Sequence, residues 1–218
     1  VDLDARSALE ATIRSQFDAG DLDAAMTSAI EGYGPEIHGF LVGMARDRDH
    51  AADVFSAACE RMWKALPRFR WDSSFRVWAY TIARNELLRA SRAVARARQQ
   101  VAVSQVPSVR LAVEHARTVT APFLRTDVRD ELARIRATLD PRDHELLTLR
   151  LDRRLSWLEI AQVLAEGEAA RGAAGDEGDG DDAAPLDRAA LTREAAALRK
   201  RFERLKDKLA AALRADAD

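Results

Sequence analysis

One cysteine in 218 residues rules out an internal disulfide framework. Cys59 sits among apolar neighbours and reads as a small core residue, which suits a reducing, cytoplasmic setting. Gly and β-branched residues are sparse beside Ala and Arg, so β architecture is disfavoured and an all-α chain is expected. No apolar run approaches the roughly 20 residues that span a bilayer, and no secretory signal is visible at the start, so no membrane is expected among the partners. His38, His50, His115 and His144 are scattered, without catalytic or metal-ligand spacing, and no phosphate-cradling glycine loop is present. Neither catalytic residues, a metal, a cofactor nor an enzymatic activity is therefore expected.

What is present is uneven. Hydrophobic residues make up 47% and charged residues 32%, enough apolar material for a packed core. The net charge of −2 hides basic clusters at 61–98 and 193–208, with acids at both ends and at 176–182. Aromatics are scarce, yet Phe69, Trp71, Phe75, Trp78 and Tyr80 fall close together, threaded by Arg68, Arg70, Arg76, Arg84, Arg89 and Arg92. Two readings stay open for that stretch: a buried aromatic core with solvated arginines, or faces that stack on bases beside cations that neutralise phosphates.

Apolar spacing predicts two helices within 3–31, separated at Asp18–Asp21, and a further helix starting at Gly34-Pro35. Asp49 is placed to cap a helix over 50–66, whose apolar stripe runs from Val54 through Phe55, Ala58, Cys59 and Met62 to Leu66. A loop over 68–74 follows, then a helix over 75–98 with Val77, Trp78, Ile82 and Leu88 inward. Residues 99–126 read as a linker, and a helix is expected from Thr126 to Leu139. Asp140-Pro141 marks a helix start, with the helix ending near Asp152. Ser156 and Glu159 form a capping box, stapled by Leu155 and Ile160. Two helices across a tight turn suit the front of a helix-turn-helix. Residues 166–185 are too rich in Gly, Ala and acids to bury a core, and disorder is expected there. A basic helix closes the chain over 187–213, with Leu191, Leu198, Phe202, Leu205 and Leu209 on one side.

These motifs together resemble the extracytoplasmic-function (group 4) sigma factors of the sigma-70 superfamily. The region 2 pattern is carried by Ala51-Ala52-Asp53-Val54-Phe55-Ser56, then Phe69, Phe75, Trp78, Tyr80, Ile82-Ala83, Asn85 and Arg92. The region 4 pattern is carried by Leu139, Pro141, Leu146-Leu147, Leu149-Arg150, Ser156, Glu159-Ile160-Ala161 and Leu164, then Leu198–Arg201, Arg204 and Leu209. Departures are Ala52 and Ser56 where the family carries Glu and Gln, Leu205 where Ala is usual, and the insert 166–185 within the turn.

The resemblance implies two small helical domains joined by a flexible linker. Region 2 would occupy 1–98, the linker 99–126, and region 4, a helix-turn-helix with the acidic insert, 127–218. It implies core RNA polymerase and promoter DNA as partners, leaves room for an anti-sigma factor, and places the protein in the cytoplasm. Phe69, Trp71, Phe75, Arg84, Asn85, Arg89 and Arg92 would read and melt the −10 element, a flipped base entering the 68–74 loop. Arg199, Lys200, Arg201, Arg204 and Lys208 would meet the −35 element in the major groove. Asp53, Ser56, Glu60, Arg61 and Lys64 would face the polymerase. The alternative is a helix-turn-helix regulator that binds duplex operator DNA without polymerase. The acids of the insert could also compete with DNA phosphate.

Overall fold

The computed structural model describes residues 3–45, 47–94, 139–172 and 187–215. All the regular elements among them are helical. They are α1 (Leu3–Asp18), α2 (Leu22–Ala45), α3 (Arg48–Ala65), a 3-10 turn (Leu66–Arg68), α4 (Phe75–Val94), α5 (Pro141–Leu147) with a π-helical extension (Thr148–Asp152), α6 (Trp157–Gly172) and α7 (Arg188–Ala215). The linker expected over 99–126 and the helix expected from Thr126 fall mostly or wholly outside the described residues, as do the acids at 176–182.

Gly20 ends α1 with φ +78, a conformation that glycine adopts without steric penalty. Asp21 then accepts from the Ala24 N–H at 3.0 Å and starts α2. At Gly32, α1 and α2 approach so closely that an added Cβ would lie 2.2 Å from Leu9 Cδ2.

The helix boundary expected at Gly34-Pro35 is not there: α2 runs unbroken through Pro35. Proline removes one backbone hydrogen bond from a helix interior. Here every residue from Tyr33 to Leu41 is buried, and packing on all sides outweighs that local penalty.

The cap of α3 is Asp47, not Asp49. Its extended backbone lets its carboxylate accept from the N–H groups of Asp49 and His50 at 2.9 and 3.2 Å. Pro67 sits in the 3-10 turn that follows α3.

The C-terminal helices match their sequence signals more closely. Asp140 accepts from the Arg142 N–H at 2.7 Å, with Pro141 in the first turn. The Ser156 N–H donates to Glu159 Oε2 at 2.6 Å, and the Glu159 N–H donates to Ser156 Oγ at 3.3 Å, a reciprocal box over the fully buried Leu155 and Ile160. Between them Arg154 takes φ +54, and the Arg150 guanidinium donates to the Leu155 carbonyl at 2.7 Å while lying over Trp157. Helix α6 continues to Gly172, so the start of the segment expected to be disordered is helical. Its Glu, Ala and Arg residues have high helix propensity and simply extend a helix already nucleated.

The two groups of helices share one hydrophobic core. Helices α1–α4 surround Ile13, Met26, Phe40, Phe55 and Tyr80, α5–α7 surround Leu146, Leu149, Ile160, Val163 and Phe202, and α4 packs directly on α6. The described parts of the two domains expected to be joined by a flexible linker pack against each other.

Candidate nucleic-acid interface

The aromatic stretch is divided by depth. Phe75 and Tyr80 are buried to within 1% and Trp78 to 9% exposure, while Phe69 and Trp71 are only partly covered. Phe69 stacks on Trp78 with ring centroids 4.6 Å apart, and also contacts Trp71 and Phe75. Phe75, expected to line a base pocket, instead supports the loop from beneath and has no free face here. Helical periodicity predicted this fate for Trp78.

Trp71 is held in an uncommon conformation. Its φ is +60, in the left-handed region that bulky residues rarely enter. Phe17 meets its ring edge-on at 5.6 Å, and the Arg14 guanidinium lies 4.7 Å from the ring centroid. Its indole N–H is buried and has no acceptor among the described residues. Strained backbone and an unsatisfied donor concentrate at functional sites more often than elsewhere.

The start of α4, where the loop ends, is fixed from far away in sequence. The carboxylate of Glu10, on α1, accepts from the backbone N–H of Phe75 at 2.9 Å and of Arg76 at 3.0 Å. It also accepts from the Tyr33 hydroxyl at 2.9 Å. A carboxylate on the first N–H groups of a helix satisfies donors that the helix cannot, and it meets the positive end of the helix dipole. Burial and the Glu10 charge push the Tyr33 hydroxyl well above the ordinary tyrosine range. Sequence reading missed Glu10, Arg14 and Phe17 as supports of this loop, because no local pattern links α1 to residues 71–76.

Along α4 the arginines separate. Arg76 is buried, with Nε 2.6 Å from Glu36 Oε1 and Nη2 2.7 Å from the backbone carbonyl of Arg153. Burial opposes the Arg76 charge, but the Glu36 hydrogen bonds and charge prevail, and its pKa moves up. Arg84 is also buried: Nε donates to Glu145 Oε1 at 2.6 Å and Nη2 to Oε2 at 3.2 Å, while Nη1 has no partner among the described residues. Asn85 is half-buried, with its Oδ1 buried and unpartnered. Arg89 is exposed and pairs with Glu86 at 2.9 Å. Arg92 lies in the last turn of α4, its side chain outside the described ones. Tertiary docking thus turns Arg84 toward the C-terminal helices, where Glu145 holds it.

The residues expected to face polymerase lie on α3. Asp53 and Lys64 are exposed, and Glu60 pairs with Lys64 at 2.7 Å. The Ser56 hydroxyl donates to the Ala52 carbonyl at 3.0 Å, and Arg61 reaches Glu86 at 3.6 Å. Asp53, Ser56, Glu60 and Lys64 recur at three- and four-residue steps and so share one helix face.

On α7, Arg199, Lys200, Arg204 and Lys208 are exposed and make no ion pair among the described residues. Lys200, Arg204 and Lys208 form one row at four-residue spacing, opposite the buried Leu191, Leu198, Phe202 and Leu205. Arg201 differs from them. Its Nε lies 2.5 Å from Asp143 Oδ1 and its Nη2 3.8 Å from Asp140. No group of His, Cys, Asp and Glu among the described residues could hold a metal ion, and no described helix is long and apolar enough to cross a membrane.

Residues 29–97 match the family model for Sigma-70 region 2. The matched segment runs from the middle of α2 through α3 and the aromatic loop to the end of α4. No curated protein matches the chain.

Proposed function

We propose that this chain is an extracytoplasmic-function sigma factor that brings core RNA polymerase to promoters. In this reading the loop at 69–74, with Asn85 and the arginines of α4, captures and melts the −10 element. The exposed row on α7 meets the −35 element, α3 faces the polymerase, and the protein works in the cytoplasm where polymerase acts. It makes and breaks no covalent bonds.

One observation carries the reading. The region 2 match falls on the helices that frame the aromatic loop, where Trp71 is held at positive φ with an unpartnered indole N–H. A partly exposed aromatic offers ring surface for an unpaired base to pack on. The cations of Lys200, Arg204 and Lys208, exposed and in no ion pair among the described residues, suit phosphate contact along a groove.

The test is transcription in vitro from a genomic fragment library by core polymerase, with and without the chain. Initiation at discrete promoters only when the chain is present is expected. Binding to core without any promoter-specific initiation would overturn the proposal.

A further inference from the structure

A run of ring contacts leads from the core out to α1. Buried Trp78 stacks on Phe69 with centroids 4.6 Å apart, and Phe69 meets Trp71 at 4.8 Å. The Arg14 guanidinium comes next, 4.7 Å from the Trp71 centroid. Arg14 is the outermost member of the run, with its side chain 49% exposed. It lies on α1, ahead of the segment 29–97 that matches the region 2 model.

The guanidinium of Arg14 is only half engaged. Its Nε donates to the two Asp18 oxygens at 3.0 and 2.9 Å, while Nη1 and Nη2 make no hydrogen bond among the described residues. Held by Asp18 on one edge and by Trp71 against its face, the group has less rotamer freedom to lose when it binds. Two amines in one plane therefore stand beside the aromatic loop, ready to meet a pair of acceptors.

Asp18 decides what that pair can take. Its carboxylate cancels the Arg14 charge and repels a phosphate brought to the same place, whereas uncharged acceptors meet no such repulsion. Among unpaired bases, guanine carries adjacent acceptors at O6 and N7, and cytosine at O2 and N3. Adenine and thymine set a donor next to every acceptor on those edges, which a guanidinium cannot match. Under the function proposed above, on which this inference rests, the loop receives an unpaired promoter base. We infer that Arg14 is a specificity-determining residue of that site, which selects guanine or cytosine over adenine and thymine at one unpaired position.

The experiment uses the full chain bound to core polymerase and a randomised single-stranded DNA pool, with core alone as the reference. The unmodified complex is expected to enrich a motif in which one position is guanine or cytosine. Arg14→Ala keeps α1 helical, since alanine favours helix. Both Arg14→Ala and Arg14→Lys, which keeps the charge but loses the fork, are expected to lose the preference at that position and keep the rest of the motif. Placing 7-deazaguanine or 3-deazacytosine there removes one acceptor and tells the two bases apart. It should weaken binding on the order of tenfold in the unmodified complex and leave Arg14→Ala unaffected. A motif unchanged in Arg14→Ala overturns the inference while leaving the proposed function intact. Equal loss at every position also overturns it, because Arg14 then only props Trp71. No motif beyond that of core alone overturns the proposed function, and this inference with it.

Discussion

At the scale of single residues, the aromatic loop depends on side chains that its own segment does not contain. Glu10 caps α4 from α1, so Glu10→Ala removes the partner of two backbone N–H groups and of the Tyr33 hydroxyl. A loss of about 1–2 kcal/mol is expected, typical of a lost helix cap. Urea unfolding measures it, and tryptophan fluorescence should report altered surroundings of Trp71. Tyr80 offers the opposite case: its hydroxyl is fully buried without a partner among the described residues, and burial raises its pKa above the ordinary 10.0. The folded state keeps that proton to higher pH than the unfolded chain does. The associated stability is therefore intact below pH 10.0 and is lost as pH climbs beyond it. Tyr80→Phe should leave neutral-pH stability unchanged, or raise it by about 1 kcal/mol, and should flatten the alkaline fall in unfolding free energy.

At the scale of elements, local signals decide where tertiary demands are weak. The capping box at Ser156 and Glu159, the Asp140-Pro141 start and the basic stripe of α7 were legible because each depends on neighbours within four residues. Ser156→Ala should lower stability by about 1 kcal/mol, seen as a lower urea midpoint, with the helical signal reduced by no more than the first turn of α6. Where packing is strong, local signals lose. Pro35 does not break α2, because that stretch is buried on all sides. Asp47 rather than Asp49 caps α3, since the extended backbone at 47 is what aims a carboxylate at the N–H groups of the first turn. The helical start of the 166–185 segment reflects propensity carried forward from α6, a continuation that composition alone did not reveal.

At the scale of the whole molecule, Arg76 joins three elements. It holds Glu36 of α2, belongs to α4 and donates to the carbonyl of Arg153 beyond α5. Arg76→Met leaves the Glu36 carboxylate buried without its cation, and a loss of about 3–5 kcal/mol is expected, as when one partner of a buried pair is removed. Chemical denaturation checks the magnitude; Arg76→Met paired with Glu36→Leu should recover most of it, since replacing both members avoids the uncompensated charge.

The sequence by itself determined the helical class, the caps of the C-terminal helices, the burial of Trp78 and the basic face of α7. Those features follow from periodicity and from interactions between residues a turn apart. Only the tertiary structure decided which arginines remain free. Arg84 and Arg201 are as basic in sequence as Arg199 and Arg204, yet α5 covers the first pair and leaves the second open. The physical reason is that an arginine's availability depends on whether a carboxylate lies within hydrogen-bond reach, and Glu145 reaches Arg84 across a separation of 61 residues that no local pattern encodes.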